Sequence, residues 1–187
     1  FHIKGNLDVT YPDGNETLDA NAPITITWNN AGLLPGENVE IKYATDGVNF
    51  TNTITGSPFG GDTDPPTGVN NGQAAWTPQT TSSTYKIKVT SLNDANITST
   101  SGTTFTVRGS ITNVQVNTTP SAYWMVGESR SVSWTSTPSS QGNVQLIYSL
   151  DGTNFPASSP NLFATVLSSS SPYPWPVPTS LRGNETV

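Results

Sequence analysis

The segment VEIKYATDGVNF (residues 39–50) recurs as VQLIYSLDGTNF (residues 144–155), and the rest of the chain falls into place around that recurrence. The two stretches align at an offset of 105 through Val39/Val144, Tyr43/Tyr148, Asp46/Asp151 and Phe50/Phe155. Upstream, APITITW ends at Trp28 and SRSVSW ends at Trp134, an offset of 106. Downstream, AAWTP carries Trp76 and YPWPVP carries Trp175, an offset of 99. Landmarks kept in one order, at offsets that drift by a few residues, are the mark of a duplicated module.

Within each copy the apolar residues alternate with polar ones, the period of a half-buried strand. Leu7, Val9 and Tyr11 form one such set, and Ile24, Ile26 and Trp28 another. Val39, Ile41 and Tyr43 follow, then Tyr85, Ile87 and Val89, then Phe105 and Val107. The second copy repeats this with Val114 and Val116, Val132 and Trp134, and Val144, Leu146 and Tyr148. Gly, Pro, Asn and Asp gather between the runs, so LLPGEN (33–38), FGGDTDPPTG (59–68) and SSSSPYPWPVP (168–178) read as loops. No stretch has sustained helical periodicity with caps. About seven short strands per 100 residues indicate an all-β chain of tandem immunoglobulin-like β-sandwich modules.

The ends of the copies set the expected boundaries. FHIKG at residues 1–5 echoes FTVRG at residues 105–109, the closing strand of the first copy and its exit. Residues 1–5 therefore read as the closing strand of a preceding module, 6–109 as a complete module, and 110–187 as a second module lacking its last strands. A sandwich without those strands exposes unpaired edges and half a core. Two readings are open: a piece of a longer array, or strand exchange in which Phe1–Lys4 completes the open module of a neighbouring chain.

Composition agrees with this architecture. The 187 residues are enough for two domains of about 100 residues. Charged residues make up 11%, against about 25% in ordinary globular chains. Polarity comes instead from 29 Thr, 22 Ser and abundant Asn, a surface common outside the cell. Evenly spread aromatic residues and the strand alternation argue against disorder. A net charge of −6 with seven scattered basic residues speaks against nucleic acid and anionic membranes as partners. No apolar run is long enough to span a bilayer, and the stretch from Phe1 does not read as a signal peptide, so a leader is expected upstream. With no cysteine, the modules must fold on hydrophobic burial alone.

The order YPDGNETLDANAPITITW (11–28), VEIKYATDG (39–47), AAWTP (74–78), STYKIKVTS (83–91) and FTV (105–107) resembles a recurring surface module. It is similar to the immunoglobulin-like domain of the Ser/Thr-rich, GPI-anchored fungal cell-wall proteins, found also in tandem in large bacterial and archaeal surface proteins. Residues 110–187 match more loosely, since NTTPSAYWMVGESRSVSW (117–134) lacks the Gly of the opening turn. The resemblance implies a fold and an extracellular setting, and it brings no catalytic residues.

Candidate chemistry is sparse. His2 is the sole histidine, which excludes a metal site built on several imidazoles and leaves a catalytic triad only a terminal residue to use. Asp46-Gly47 and Asp151-Gly152 fall between strands, where Asp-Gly favours a tight hairpin turn over acid catalysis. Asp62 and Asp64 in GGDTDPP offer two carboxylates for Ca²⁺, without the acidic pattern that a Ca²⁺ loop carries. Trp28, Trp76, Trp134 and Trp175 occupy repeated positions, as core pillars do. Tyr123, Trp124 and Tyr173 are less constrained and are the candidates for stacking on a sugar. Asn15, Asn49, Asn96, Asn117 and Asn184 head Asn-X-Ser/Thr sequons and are the candidate glycan acceptors.

The expectation is a non-enzymatic structural repeat of a surface protein, such as a stalk, fibre, sheath or adhesin shaft, needing no cofactor. Its partners would be neighbouring immunoglobulin-like modules, in the same chain or in adjacent subunits, and glycans. The short passage FTVRGSITNV (105–114) leaves little linker between modules, which restricts hinge freedom. The alternatives are a carbohydrate-binding or adhesive module and an accessory region of a large secreted hydrolase.

Overall fold

The computed structural model describes residues 5–32, 37–60, 71–117, 124–139, 142–156 and 161–179. The chain divides into two compact units, Phe1–Arg108 and Gly109–Val187.

In the first unit, β1 (Asn6–Tyr11), β3 (Ile24–Ala31) and β7 (Asn71–Trp76) form one antiparallel sheet with β3 in the centre. The second sheet runs β2 (Thr17–Asp19), β10 (Phe105–Arg108), β8 (Ser82–Ser91), β4 (Asn38–Ala44), β5 (Asn52–Thr53). The short strands β6 (Phe59–Gly60) and β9 (Thr98–Thr100) pair with β4 and β8. The chain changes sheets between β1 and β2, and β2 joins β10 in parallel. The turn that makes this possible is held by Glu16, whose carboxylate accepts the N–H groups of Asp13 (2.9 Å) and Gly14 (2.7 Å).

The alternation read from the sequence becomes the interior. Leu7, Val9, Ile26, Trp28, Ala74 and Trp76 from one sheet meet Val39, Ile41, Tyr85, Ile87, Val89, Phe105 and Val107 from the other in one core. Two facing sheets around one core are an immunoglobulin-like β-sandwich. Tyr85 is central: its ring stacks on Tyr43 (5.8 Å) and Phe105 (5.6 Å) and tilts against Trp76 (5.9 Å). Its hydroxyl donates to the Thr80 carbonyl at 2.9 Å, and burial pushes the phenol pKa up. A buried tyrosine needs that partner, because an orphaned hydroxyl would cost more than the ring gains in contacts.

In the second unit, β11 (Ser110–Val116), β12 (Ser129–Thr137) and β15 (Tyr173–Pro176) form an antiparallel sheet with β12 in the centre. Beside it, β13 (Asn143–Ile147) and β14 (Leu162–Leu167) form an antiparallel pair, followed by a 3₁₀ turn at Ser168–Ser170. Val132, Trp134, Leu146, Tyr148 and Trp175 make its core. The Trp134 indole donates to the Ser168 carbonyl at 2.8 Å, which ties the 3₁₀ turn to β12.

Several loop readings need correction. Phe59–Gly60, expected to lie in a loop, pairs with β4 as a strand, while residues 61–70 lie outside the described residues. Within the expected loop 168–178, Tyr173–Pro176 is a strand. Its alternation places Trp175 inside at 2% exposure, and its two prolines are tolerated because, among the described residues, β15 is an edge strand bonded only to β12. LLPGEN is described only from Glu37, and Asn38 already belongs to β4. Neither Asp-Gly pair makes a two-residue hairpin: β4 ends at Ala44 and β5 starts at Asn52. Val114 is 65% exposed although its spacing suggests an inward position. A bulge between Thr112 and Gln115, with Asn113 at φ 52°, breaks the alternation of β11 there.

Candidate functional site

The feature that stands out is an apolar groove in the second unit. Its volume is about 590 Å³, and its walls include Val116, Val132, Trp134, Leu146, Tyr148 and Trp175. It lies along β13. One edge of that strand is bonded to β14, and among the described residues no strand pairs with the other. In the first unit the matching strand, β4, is bonded on that side to β8 from Val39↔Ser91 to Ala44↔Lys86. There β8 contributes Tyr85, Ile87 and Val89, each 0% exposed.

The two cores differ accordingly. Ile26, Trp28, Val39, Ile41, Tyr85 and Phe105 of the first are 0% exposed, whereas Val132, Trp134, Leu146 and Tyr148 of the second retain 6–9%. Ile111 and Phe155, also along the groove, are 40% and 57% exposed. Leu7 and Val9 on β1 are 4% and 3% exposed, whereas the apolar side chains of β11 stay open. The Trp175 indole N–H is buried without an acceptor among the described residues. Among the described residues the groove walls are mostly apolar, and the Ser149 hydroxyl on them donates to Asp151. Such a surface receives apolar side chains, and the edge of β13 offers backbone donors and acceptors to an added strand.

The acidic candidates serve turns. Asp46 Oδ1 accepts the N–H groups of Val48 (2.9 Å) and Asn49 (2.8 Å), and Oδ2 accepts the Asn49 amide (2.6 Å). The Asn49 and Val48 backbone bonds hold its pKa down at about 2. Asp151 Oδ1 repeats the arrangement with Asn154 (2.7 Å) and Thr153 (2.9 Å) and also accepts the Ser149 hydroxyl (2.8 Å). The same backbone bonds, with the Asn154 N–H first, hold its carboxyl well below the usual range. Gly47 (φ 78°) and Gly152 (φ 73°) follow them, in a conformation that an L side chain disfavours. A carboxylate that satisfies two amide N–H groups shapes the loop, which is why these connections are longer than a tight hairpin.

Among the aromatic candidates, Trp124 is half-buried. The Arg130 guanidinium lies over its ring at 5.4 Å, and Trp175 meets it edge-on at 5.7 Å. Arg130 is itself buried and bonded to Glu128 at 2.9 Å. Tyr173 is partly buried against the second core, and no ring contact joins it to Trp124. Tyr123, Asn184, Asp62, Asp64 and His2 lie outside the described residues. Asn15, Asn49, Asn96 and Asn117 are all exposed. The side-chain amides of Asn49 and Asn96 donate to Asp46 (2.6 Å) and Asp94 (2.9 Å), and Asn15 has φ 66° in the sheet-crossing turn.

The Trp124–Arg130–Glu128 cluster and the groove-lining Phe163 of β14 escaped the sequence reading. LFATVL (162–167) is an apolar run whose alternation is weak, and only its pairing with β13 identifies it as a strand. Among the described residues no group of three or more acidic or His side chains is placed to hold a metal, and no helix is long and apolar enough to cross a membrane.

No protein-family model and no curated protein sequence matches the chain. Among solved structures it is similar to the fibronectin(III)-like modules of CbhA from Clostridium thermocellum. The identity is 13% over 97% of this chain and 99% of that one, with a TM-score of 0.30.

Proposed function

We propose that this chain is a structural segment of an extracellular or cell-surface protein, made of two successive copies of one immunoglobulin-like module and without catalysis of its own. The observation that carries this reading is the allocation of the repeated residues. Trp28 and Trp134 lie on the central strands of three-stranded sheets built in the same way, and Trp76 and Trp175 lie on the strand that follows in each sheet. Tyr43 and Tyr148 pack against those second tryptophans at 5.2 Å and 5.8 Å. The repeated aspartates hold loops. The repeated Trp, Tyr and Asp side chains thus have folding tasks, and 11% of the chain is charged.

The connection supports a spacer role. Strand β10 ends at Arg108 and β11 begins at Ser110, so one residue, Gly109, separates the modules. Short connections of this kind suit shafts, stalks and fibres better than hinged enzymes. The exposed Asn15, Asn49, Asn96 and Asn117 sequons fit a host that glycosylates its surface.

The test is labelling of intact producing cells with an antibody to this chain, followed by imaging of the native assembly. Labelling without permeabilisation, on repeating β modules, is the expected result. Labelling that needs permeabilised cells would overturn the extracellular assignment. A substrate turnover abolished by neutralising one acidic side chain would overturn the structural one.

A further inference from the structure

We infer that the outer face of the second sheet of the first unit, around Lys42, Lys86 and Lys88, is a binding surface for a carboxylate-bearing polysaccharide. The inference rests on the extracellular reading for the setting in which such a polymer is met.

Along the chain the seven basic residues are scattered, but strand register gathers three of them. Lys42 of β4 stands directly opposite Lys88 of β8, and Lys86 follows on the same face of β8, opposite Ala44. The alternate residues of β8, Tyr85, Ile87 and Val89, are 0% exposed, so the lysines occupy the face turned away from the core. The row extends on both sides. Thr53 of β5 is opposite Lys42, and Thr100 of β9 is opposite Lys88. Thr53, Lys42, Lys88 and Thr100 thus form one line across four strands, about 14 Å long at the usual strand spacing.

This arrangement costs stability, because like charges directly opposite on adjacent strands repel. A Glu40 carboxylate oxygen lies 2.9 Å from the Lys42 ammonium and offsets one charge. Lys88 rests over the Phe50 ring at 5.7 Å, which holds the cation without cancelling it. Among the described residues no carboxylate lies within ion-pair distance of Lys86 or Lys88. Nor does the module need the cluster to fold: at the repeat offset of 105, Glu40 and Lys42 become Gln145 and Ile147. In a chain of net charge −6, positive charges kept together against their own repulsion point to an anionic partner.

The neighbouring groups select among anions. Lysine is a point charge, whereas the arginine fork suits phosphate, and Arg108 and Arg130 are already bonded to Asp19 and Glu128. Threonine hydroxyls flank the ammonium groups on both sides, so donors and acceptors for sugar hydroxyls lie beside the charges. A polymer that carries carboxylates among hydroxyls matches that row. A second copy of this chain matches it poorly, since its carboxylates at Asp13, Glu16, Asp46, Asp94 and Asp151 already accept internal N–H groups.

The test uses the whole 187-residue chain, with polygalacturonate as the probe. The immobilised polymer should retain the chain at low ionic strength and release it as salt rises beyond about 0.1 M, where charges are screened over about 10 Å. Its methyl ester, the same sugar without the charge, should not retain it. Replacing Lys86→Gln together with Lys88→Gln should weaken binding at least ~10-fold. Arg108→Gln removes a cation already paired with Asp19 and should leave retention nearly unchanged. In the unaltered chain, NMR titration with the polymer should move the amide resonances of Thr53, Lys42, Lys88 and Thr100, a reading that needs no variant to fold.

The inference is overturned if the chain passes the polymer unretained at low salt, if the double variant binds as tightly as the original, or if the shifted resonances lie elsewhere. Tighter binding to dextran sulfate or to polyglutamate than to polygalacturonate overturns it in favour of a sulfated glycan or an acidic protein. Surface labelling of cells is measured apart from these, so failure of the site and failure of the extracellular reading are distinguishable.

Discussion

The indole of Trp28 lies over Gly72 on the adjacent strand, so close that a β-carbon at Gly72 would fall 2.0 Å from Cε2 of the ring. The two residues are direct partners in the β3–β7 register. Trp28 is 0% exposed, so the ring has no free volume into which to retreat.

Gly72→Ala should therefore destabilise the first unit by overpacking, by roughly 1–3 kcal/mol. The urea midpoint should fall while the slope of the transition stays the same. Combined with Trp28→Phe, the alanine should cost less than it does alone, because the smaller ring relieves the clash. Strict additivity of the two changes would argue against the contact.

Asp46 and Asp151 should titrate below ordinary carboxylates. Each accepts two backbone N–H groups, so the fold favours the ionised form. The sign follows: a depressed folded-state pKa adds stability above the ordinary value of 3.8, and that stability is lost as pH falls through the folded-state value. For Asp46 the window runs from about 4 down to about 2. NMR titration of the carboxyl carbons checks this, and an Asp46 midpoint near 3.8 would contradict the turn geometry.

Ser101→Ala should cost about 1–3 kcal/mol despite the small change in volume. The buried Ser101 hydroxyl accepts the Ile87 N–H at 3.0 Å and donates to the Pro12 carbonyl at 3.0 Å. It thus joins β8 to the sheet-crossing turn, and alanine leaves both groups unsatisfied in the interior. Chemical denaturation gives the loss, and faster exchange at the Ile87 amide should accompany it. An unchanged midpoint would mean that water replaces the hydroxyl.

In the dilute, unassociated chain, amides of β13 should exchange faster than those of β4. Strand β4 has hydrogen-bonded neighbours on both edges, whereas β13 has one among the described residues. Equal protection of Val39–Ala44 and Val144–Ile147 would show that something already covers the outer edge of β13.

The strands legible in advance were those with three or more alternating residues and a large apolar anchor, such as ITITW and VEIKY. Strands β2, β5, β6 and β9, two or three residues long, carry too little period to read, and exist because a longer neighbour supplies their hydrogen bonds. Strand β15 was hidden by its prolines, which look like a loop until the strand is known to lie at an edge. The inward tryptophans could be read from their repetition. The position of Arg130 over Trp124 could not, since it depends on how the turn before β12 folds back.

By itself, the sequence determined an all-β chain of alternating segments, because period two is a local pattern, and it displayed the recurrence of residues 39–50 at 144–155. It also assigned the repeated Trp and Tyr residues to an interior. Tertiary structure alone decided that Asp46 and Asp151 cap loops instead of tight hairpins, that β11 carries a bulge between Thr112 and Gln115, and which walls, Val114 among them, line the groove along β13. Alternation specifies which face of a strand is apolar; it does not specify which other strand, far away in the chain, arrives to cover that face.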